Sequence, residues 1–250
     1  MDELTQIIWW ANQRQAGIQF LLDFDGTLSP LVDDPESSML NLSTQSLVTL
    51  SSLGDVIIIS ERPKGFLERL FAVLPVSIAA EHGAFFKSVG SLSWEEVFHT
   101  SPEIKITYLR AELREVGKGL GSVLIEEKEQ STTFHFRQIR HSQSESSWRE
   151  LEHRFQLLAE KYGVKLLPGK DVFEFRMSGT GKGHFIHWLH NRMPAELLIA
   201  AGDDLTDEEM FAATAALGGE CIKVGEGATT ARFRANSPAQ LIEFLASLQS

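Results

Sequence analysis

Five short apolar runs recur along the chain, with helix-like stretches between them: Ile18–Leu22, Asp55–Ile59, Val76–Ala80, Leu197–Ala201 and Cys221–Val224. Ahead of the first, Leu4, Ile7, Ile8 and Ala11 fall at helical spacing and predict a helix over residues 3–16. Continuous apolar strands alternating with helices predict an α/β core whose parallel sheet is covered on both faces. The first run ends in Asp23, the second in Ser60-Glu61-Arg62 and the third in Glu81-His82-Gly83. The last two end in Gly202-Asp203-Asp204 and Gly225-Glu226-Gly227. All carboxyl ends of a parallel sheet lie on one edge, so these residues converge there.

The stretch from 102 to 176 has a different pattern. A helical segment, Glu103–Val116, ends among Gly117, Gly119 and Gly121. Two strand-like runs follow, Ser122–Lys128 and Thr132–Arg137, close enough for a hairpin. Next come a helix near 146–162 closed by Gly163, and strands near 164–167 and 171–176. This predicts a small α+β insert at 102–176, between core segments 1–101 and 177–250. Its strands alternate. One face carries Val123, Ile125, Phe134, Phe136, Phe173 and Phe175; the other carries Glu126, Lys128, His135, Arg137, Lys170, Glu174 and Arg176. A solvated face is the default for such a sheet, and a ligand-facing one is the alternative.

Composition narrows the function. The 250 residues suffice for one large domain or a core plus an insert. With 34 Asp+Glu against 23 Lys+Arg, the formal charge is −11. That argues against nucleic-acid binding, which needs a basic footprint, but not against an anionic small substrate. A single cysteine, Cys221, excludes an internal disulfide and fits a reducing compartment. Met1-Asp2-Glu3 opens without a basic flank or long apolar core, and no run is long enough to cross a membrane. The cytoplasm is therefore expected.

The strand ends suit phosphoryl transfer. Asp23 is the candidate nucleophile, because a carboxylate can form an acyl phosphate. Asp25 is the candidate acid/base, folded back by Gly26 and Thr27. A dianionic ester repels a carboxylate unless cations intervene. Mg²⁺ takes oxygen ligands, and Asp203 and Asp204 add carboxylates for it. Ser60 offers a hydroxyl and Lys182 a cation at a helix start. Competing readings fit less well. As a calcium loop, DFDG would need Gly and Glu where Leu28 and Asp34 stand. As a P-loop, GTGKG would need Ser or Thr at Gly183. GDDLTDEE alone would pass for an acidic helix N-terminus. His184, His187 and His190 face outward if Phe185, Ile186, Trp188 and Leu189 are buried.

DFDGT, Ser60, Lys182 and GDD are the four motifs of the haloacid-dehalogenase-like (HAD) phosphohydrolases, which the chain resembles. Within them it resembles trehalose-6-phosphate phosphatases, through DFDGTLSP, AEHGAF, IEEK, HFR, GKDVFEFR, GKG and GDDLTDEEMF. The resemblance implies a Rossmann-like HAD core with a C2-type cap closing over a sugar phosphate. It implies Asp23 as nucleophile and Asp25 as acid/base. Mg²⁺ would be held by Asp23, the Asp25 carbonyl and Asp203, with Asp204 in support. Ser60 and Lys182 would clamp the phosphoryl group. The substrate set would be Arg62, Glu81, His82, Glu126, Lys128, Arg137, Lys170 and Glu174. Hinges are expected at Gly179, Gly181 and Ser101-Pro102. Three positions depart from the family pattern. Glu61 stands where the family has glycine, Met177 where it has proline, and Phe136 where it has tyrosine. The expected activity is hydrolysis of trehalose 6-phosphate. The alternatives are another sugar phosphate, such as a glycosyl-glycerate phosphate or sucrose phosphate, or a feebly active sugar-phosphate-binding regulator.

Overall fold

The computed structural model describes residues 2–13, 17–30, 44–98, 103–140, 144–169 and 171–248. Ser101-Pro102 and Lys170, both singled out above, lie outside the described residues. Contacts divide the chain into two units, Met1–Val97 with Gly181–Ser250, and Phe98–Thr180. Met177 falls in the second, because it pairs with Val164 and its amide donates to the Gln130 carbonyl at 3.3 Å.

The larger unit is built on the strands of one sheet, buried through the central ones and exposed toward the Glu95–Glu96 edge. They are β1 (Ile18–Leu22), β2 (Asp55–Ile59), β3 (Ser77–Ala80), β4 (Phe85–Lys87) and β5 (Glu95–Glu96). Helices α1 (Asp2–Gln13), α2 (Thr44–Leu53) and α3 (Lys64–Phe71) accompany them. After the second unit come α6 (Lys182–Arg192), β10 (Leu197–Gly202), α7 (Leu205–Ala216), β11 (Glu220–Val224), β12 (Phe233–Ala235) and α8 (Pro238–Ser247). Every residue of β1 is buried, as is every residue of β10. An alternating pattern would have left one face wet; the continuous apolar run forbids that. The sheet order is β12-β11-β10-β1-β2-β3-β4-β5. Strands from β12 to β3 are parallel, and β4 and β5 add an antiparallel edge. Chain order reverses between β1 and β10, which makes that gap the switch point where doubly wound sheets bind ligands.

The smaller unit contains α4 (Glu103–Lys118), β6 (Leu124–Glu127), β7 (Ser131–His135), α5 (Glu145–Tyr162), β8 (Val164–Gly169) and β9 (Val172–Met177). Its strands pair antiparallel in the order β6-β7-β9-β8. Ser144 caps α5 by accepting from the Ser147 amide, and Gly163 ends it in the left-handed conformation. Phe134, Phe136, Phe173 and Phe175 join Leu109, Leu113, Phe155 and Leu158 in one core, with Val123 and Ile125 packed against it. That is the apolar face the alternation predicts. Several boundaries shift by one or two residues, and two of the shifts have a plain physical reason. α4 continues through Gly117 to Lys118, because burial of Leu113 and Val116 outweighs the roughly 1 kcal/mol helix penalty of a glycine. β7 stops at His135, because the chain turns where the Ile139 amide donates back to the Phe136 carbonyl.

Cys221 on β11 is 3% exposed, and burial pushes its thiol up to about 12. Iodoacetamide at pH 9 is therefore expected to label the folded protein roughly a hundredfold more slowly than the urea-unfolded chain. Equal rates measured by mass spectrometry would contradict this packing.

Candidate active site

The stretch after β1 forms a tight loop. The Leu28 and Ser29 amides both donate to the Phe24 carbonyl at 2.9 Å, and the Gly26 amide donates to the Ser29 carbonyl at 2.7 Å. Gly26 has φ 81°, and a Cβ there would lie 2.2 Å from an Asp203 carboxylate oxygen. Only glycine lets the loop pass that close to the acid after β10. Gly202 has a matching role, since its Cβ would lie 2.2 Å from the Asp207 carboxyl carbon. The Asp23 amide donates to the Ala201 carbonyl at 2.9 Å, so the ends of β1 and β10 meet at the switch point.

Asp23, Asp203 and Asp207 gather there. Their carboxylate oxygens lie within 4.8 Å of one another. Lys182, at the start of α6 and 2% exposed, donates to Asp23 Oδ1 and Asp207 Oδ1, each at 2.7 Å. Asp207 Oδ2 also accepts from the Asp203 and Asp204 amides at 2.9 and 3.0 Å. Thr27 Oγ1 donates to Asp203 Oδ1 at 3.3 Å. Burial raises the Asp23 carboxyl well above its usual range, against the pull of Lys182. Burial first, then Asp207 and Asp204, pushes Asp203 up to about 7. Burial by itself would depress Lys182, but Asp207, Asp23 and Asp204 reverse this and hold it well above the usual lysine value. Negative charge thus exceeds what one buried lysine offsets. A hard cation bound by carboxylate oxygens suits such a site, so the residues present fit a divalent ion.

Asp204, expected in support of the metal, is engaged by the helix that follows it. Its Oδ1 accepts from the Thr206 amide and hydroxyl and from the Asp207 amide, at 2.8, 2.7 and 3.2 Å, which makes it the N-cap of α7. Burial pushes its carboxyl up, but Lys182 and the Thr206 hydroxyl outweigh that and leave it lowered. The acid gathered beside Asp23 and Asp203 is Asp207, which the sequence reading did not single out. Its signal was available: three residues beyond Asp204, it completes a capping box on the first turn of α7.

The ends of β2 and β3 are laced together. The Glu81 amide donates to the Arg62 carbonyl at 3.1 Å, and the His82 amide to the Ser60 carbonyl at 3.0 Å. Ser60 Oγ accepts from the Arg62 amide at 3.1 Å. Arg62 grips Asp25 with both prongs, Nε to Oδ2 and NH2 to Oδ1, each at 2.7 Å. Glu81 and His82 are buried with φ of 49° and 59°. Left-handed backbone at such residues costs about 1–3 kcal/mol each and clusters at functional sites. The Glu61 side chain is half-exposed, with Oε2 3.9 Å from His82 Nε2.

In the smaller unit, Glu126, Thr133 and Glu174 stand opposite one another across β6, β7 and β9. His135 Nε2 lies 3.0 Å from Glu126 Oε2, and that bond, against the opposing effect of burial, lowers the Glu126 carboxyl. Lys128 Nζ is 3.8 Å from Glu126 Oε1. Arg176 stands opposite Ser131 in the register of β7 and β9, two residues along the same face from Glu174. Arg137 lies beyond the end of β7, with Nε 3.6 Å from Asp171 Oδ2.

The chain is similar to known proteins in sequence and in fold. The trehalose-phosphatase family profile matches residues 21–238. The chain is 32% identical over 78% of its length to an alpha,alpha-trehalose-phosphate synthase [UDP-forming] B of Dictyostelium discoideum, of which it spans 25%. It is 30% identical over 85% of its length to a trehalose-6-phosphate phosphatase-related protein of Thermoplasma acidophilum, of which it spans 88%. Among solved structures, the C-terminal domain of Candida albicans trehalose-6-phosphate phosphatase superposes with a TM-score of 0.83 at 26% identity. That match covers 98% of this chain and 96% of the other.

Removing Lys182 would strand two buried carboxylates. Lys182→Met is expected to lower the unfolding free energy by about 3–5 kcal/mol in urea titrations with EDTA present. A loss below about 1 kcal/mol would show that the pair with Asp23 and Asp207 is not the counter-charge described.

Proposed function

The chain belongs to the trehalose-phosphatase family, and from that premise we propose that it is a Mg²⁺-dependent phosphomonoesterase hydrolysing trehalose 6-phosphate to trehalose and phosphate. The observation that carries this reading is the cluster of buried Asp23, Lys182 and Asp207 with half-buried Asp203 at the switch point of the sheet. Asp23 and Asp203 would hold the ion, together with the main-chain carbonyl of Asp25, and Asp207 and Asp204 would support them. When bound, Mg²⁺ supplies positive charge that lets an anionic nucleophile approach a dianionic ester.

The residues divide the work. Asp23 attacks phosphorus and becomes an aspartyl phosphate as the bond from phosphorus to the sugar oxygen breaks. Asp25 gives that oxygen its proton, and later takes one from the water that hydrolyses the aspartyl phosphate. Donation requires an Asp25 oxygen to leave the Arg62 guanidinium, which holds both oxygens. Lys182 and the Ser60 hydroxyl stabilise charge on the transferring phosphoryl oxygens. Glu81 and His82, with Arg62, are assigned to the substrate. Glu126, Lys128, Glu174, Arg137 and Lys170 of the smaller unit are assigned to sugar hydroxyls, for which a row of carboxylates and cations offers acceptors and donors. Among the described residues no helix is long and apolar enough to cross a membrane. With its single buried cysteine, the protein is assigned to the cytoplasm.

Phosphate release from a panel of trehalose, sucrose and glycosyl-glycerate phosphates is expected to be fastest with trehalose 6-phosphate and to stop on EDTA treatment. Asp23→Asn is expected to lower kcat by at least about 10³-fold, the scale on which removal of a covalent nucleophile acts. Turnover surviving that substitution would remove the nucleophile, and a faster substrate in the panel would replace the sugar.

A further inference from the structure

Residue 203 is held from three sides. Its amide donates to Asp207 Oδ2 at 2.9 Å, and its carboxylate accepts from Thr27 Oγ1 at 3.3 Å. The third tie comes from a residue that neither the sequence motifs nor the reaction uses. Lys223 Nζ donates to the Asp203 main-chain carbonyl. Lys223 stands directly opposite Gly202 in the register of β10 and β11 and is 4% exposed. Lysine is almost never buried this far unless it is paired. Here its charge also lies near the carboxylates of Asp203 and Glu208. Glu208 in turn accepts from the Thr230 amide and hydroxyl, both at 2.9 Å, tying the connection between β11 and β12 to the same place.

We propose that Lys223 is a positioning residue for Asp203, and that by anchoring the main chain where β10 turns into α7 it sets the affinity of the site for its divalent cation. The inference rests on the cation reading above. Two effects of the lysine oppose each other. Its charge repels an incoming cation, so charge alone would make its removal strengthen binding. Its hydrogen bond fixes the residue that supplies the ligand oxygen, so loss of the anchor weakens binding. The anchor dominates, because the bond is direct while the repulsion is offset by the carboxylates of Asp203 and Glu208. Groups that orient a metal ligand typically change affinity by about 10–100-fold.

The test is titration of the EDTA-stripped full chain with Mn²⁺, reading free ion by electron paramagnetic resonance, alongside thermal unfolding in EDTA. Lys223→Met is expected to weaken Mn²⁺ binding about tenfold or more, and Lys223→Arg, which keeps a charged donor, by no more than about threefold. Should the methionine variant not fold, Lys223→Gln is held to the same tenfold loss. Unchanged affinity with a lower melting temperature would make Lys223 purely structural, and tighter binding would make it only a repelling charge; either overturns the proposal. A wild-type chain that takes up no Mn²⁺ overturns the cation reading itself, and this inference with it.

Discussion

Lys182 lies between Asp23 and Asp207 at 2.7 Å from each, out of reach of water, and the arrangement of the larger unit depends on that contact. Ions removed from water lose several kcal/mol of hydration apiece, and only close, well-aligned partners restore it. Lys182, even with Lys223 near Asp203, does not restore it for Asp23, Asp203 and Asp207 together. Burial therefore raises the affinity of Asp23, Asp203 and Asp207 for protons, and only Asp204, where Lys182 and the Thr206 hydroxyl outweigh burial, is lowered. A cluster in this condition stores a demand for positive charge. The same property that makes it expensive to fold suits it to the divalent cation proposed for it.

The sheet makes the cluster possible. β1 and β10 are neighbours although nearly 180 residues separate them, and the chain leaves each toward a different side of the sheet. Their carboxyl ends form a gap with no strand connection across it. Gly26 and Gly202 let the loops approach until carboxylates touch, because any side chain at either position would overlap an acid. Around this gap the ends of β2 and β3 are tied by two main-chain bonds, which hold Glu81 and His82 in a conformation they would not adopt alone.

In the smaller unit the two sheet faces serve separate ends. Phenylalanines on one face pack with α4 and α5 and supply the cohesion. The other face is then free to carry charge, and it carries Glu126, Thr133 and Glu174 in one row. Alternation with a period of two residues makes this division, so neither face can be altered by a register slip without exchanging the two.

What the sequence determined by itself was periodicity and the chemistry at its interruptions. Unbroken apolar runs encode buried parallel strands, alternating runs encode a two-faced sheet, and polar residues at run ends mark one edge. Asp23, Asp25, Ser60 and Asp203 could be singled out for that reason, and Lys182 as a cation at a helix start. Only the tertiary structure decided which carboxylate joins Asp23 and Asp203, because the choice between Asp204 and Asp207 depends on the direction in which α7 leaves β10. Asp204 caps its helix, and the first turn of that helix aims Asp207 at Lys182. The partner of Arg62 and the anchor provided by Lys223 were likewise hidden, since each bond joins residues brought together by strand order rather than by spacing. Periodicity is a local property and can be read along a chain; a hydrogen bond between distant strand ends exists only once the sheet has closed around it.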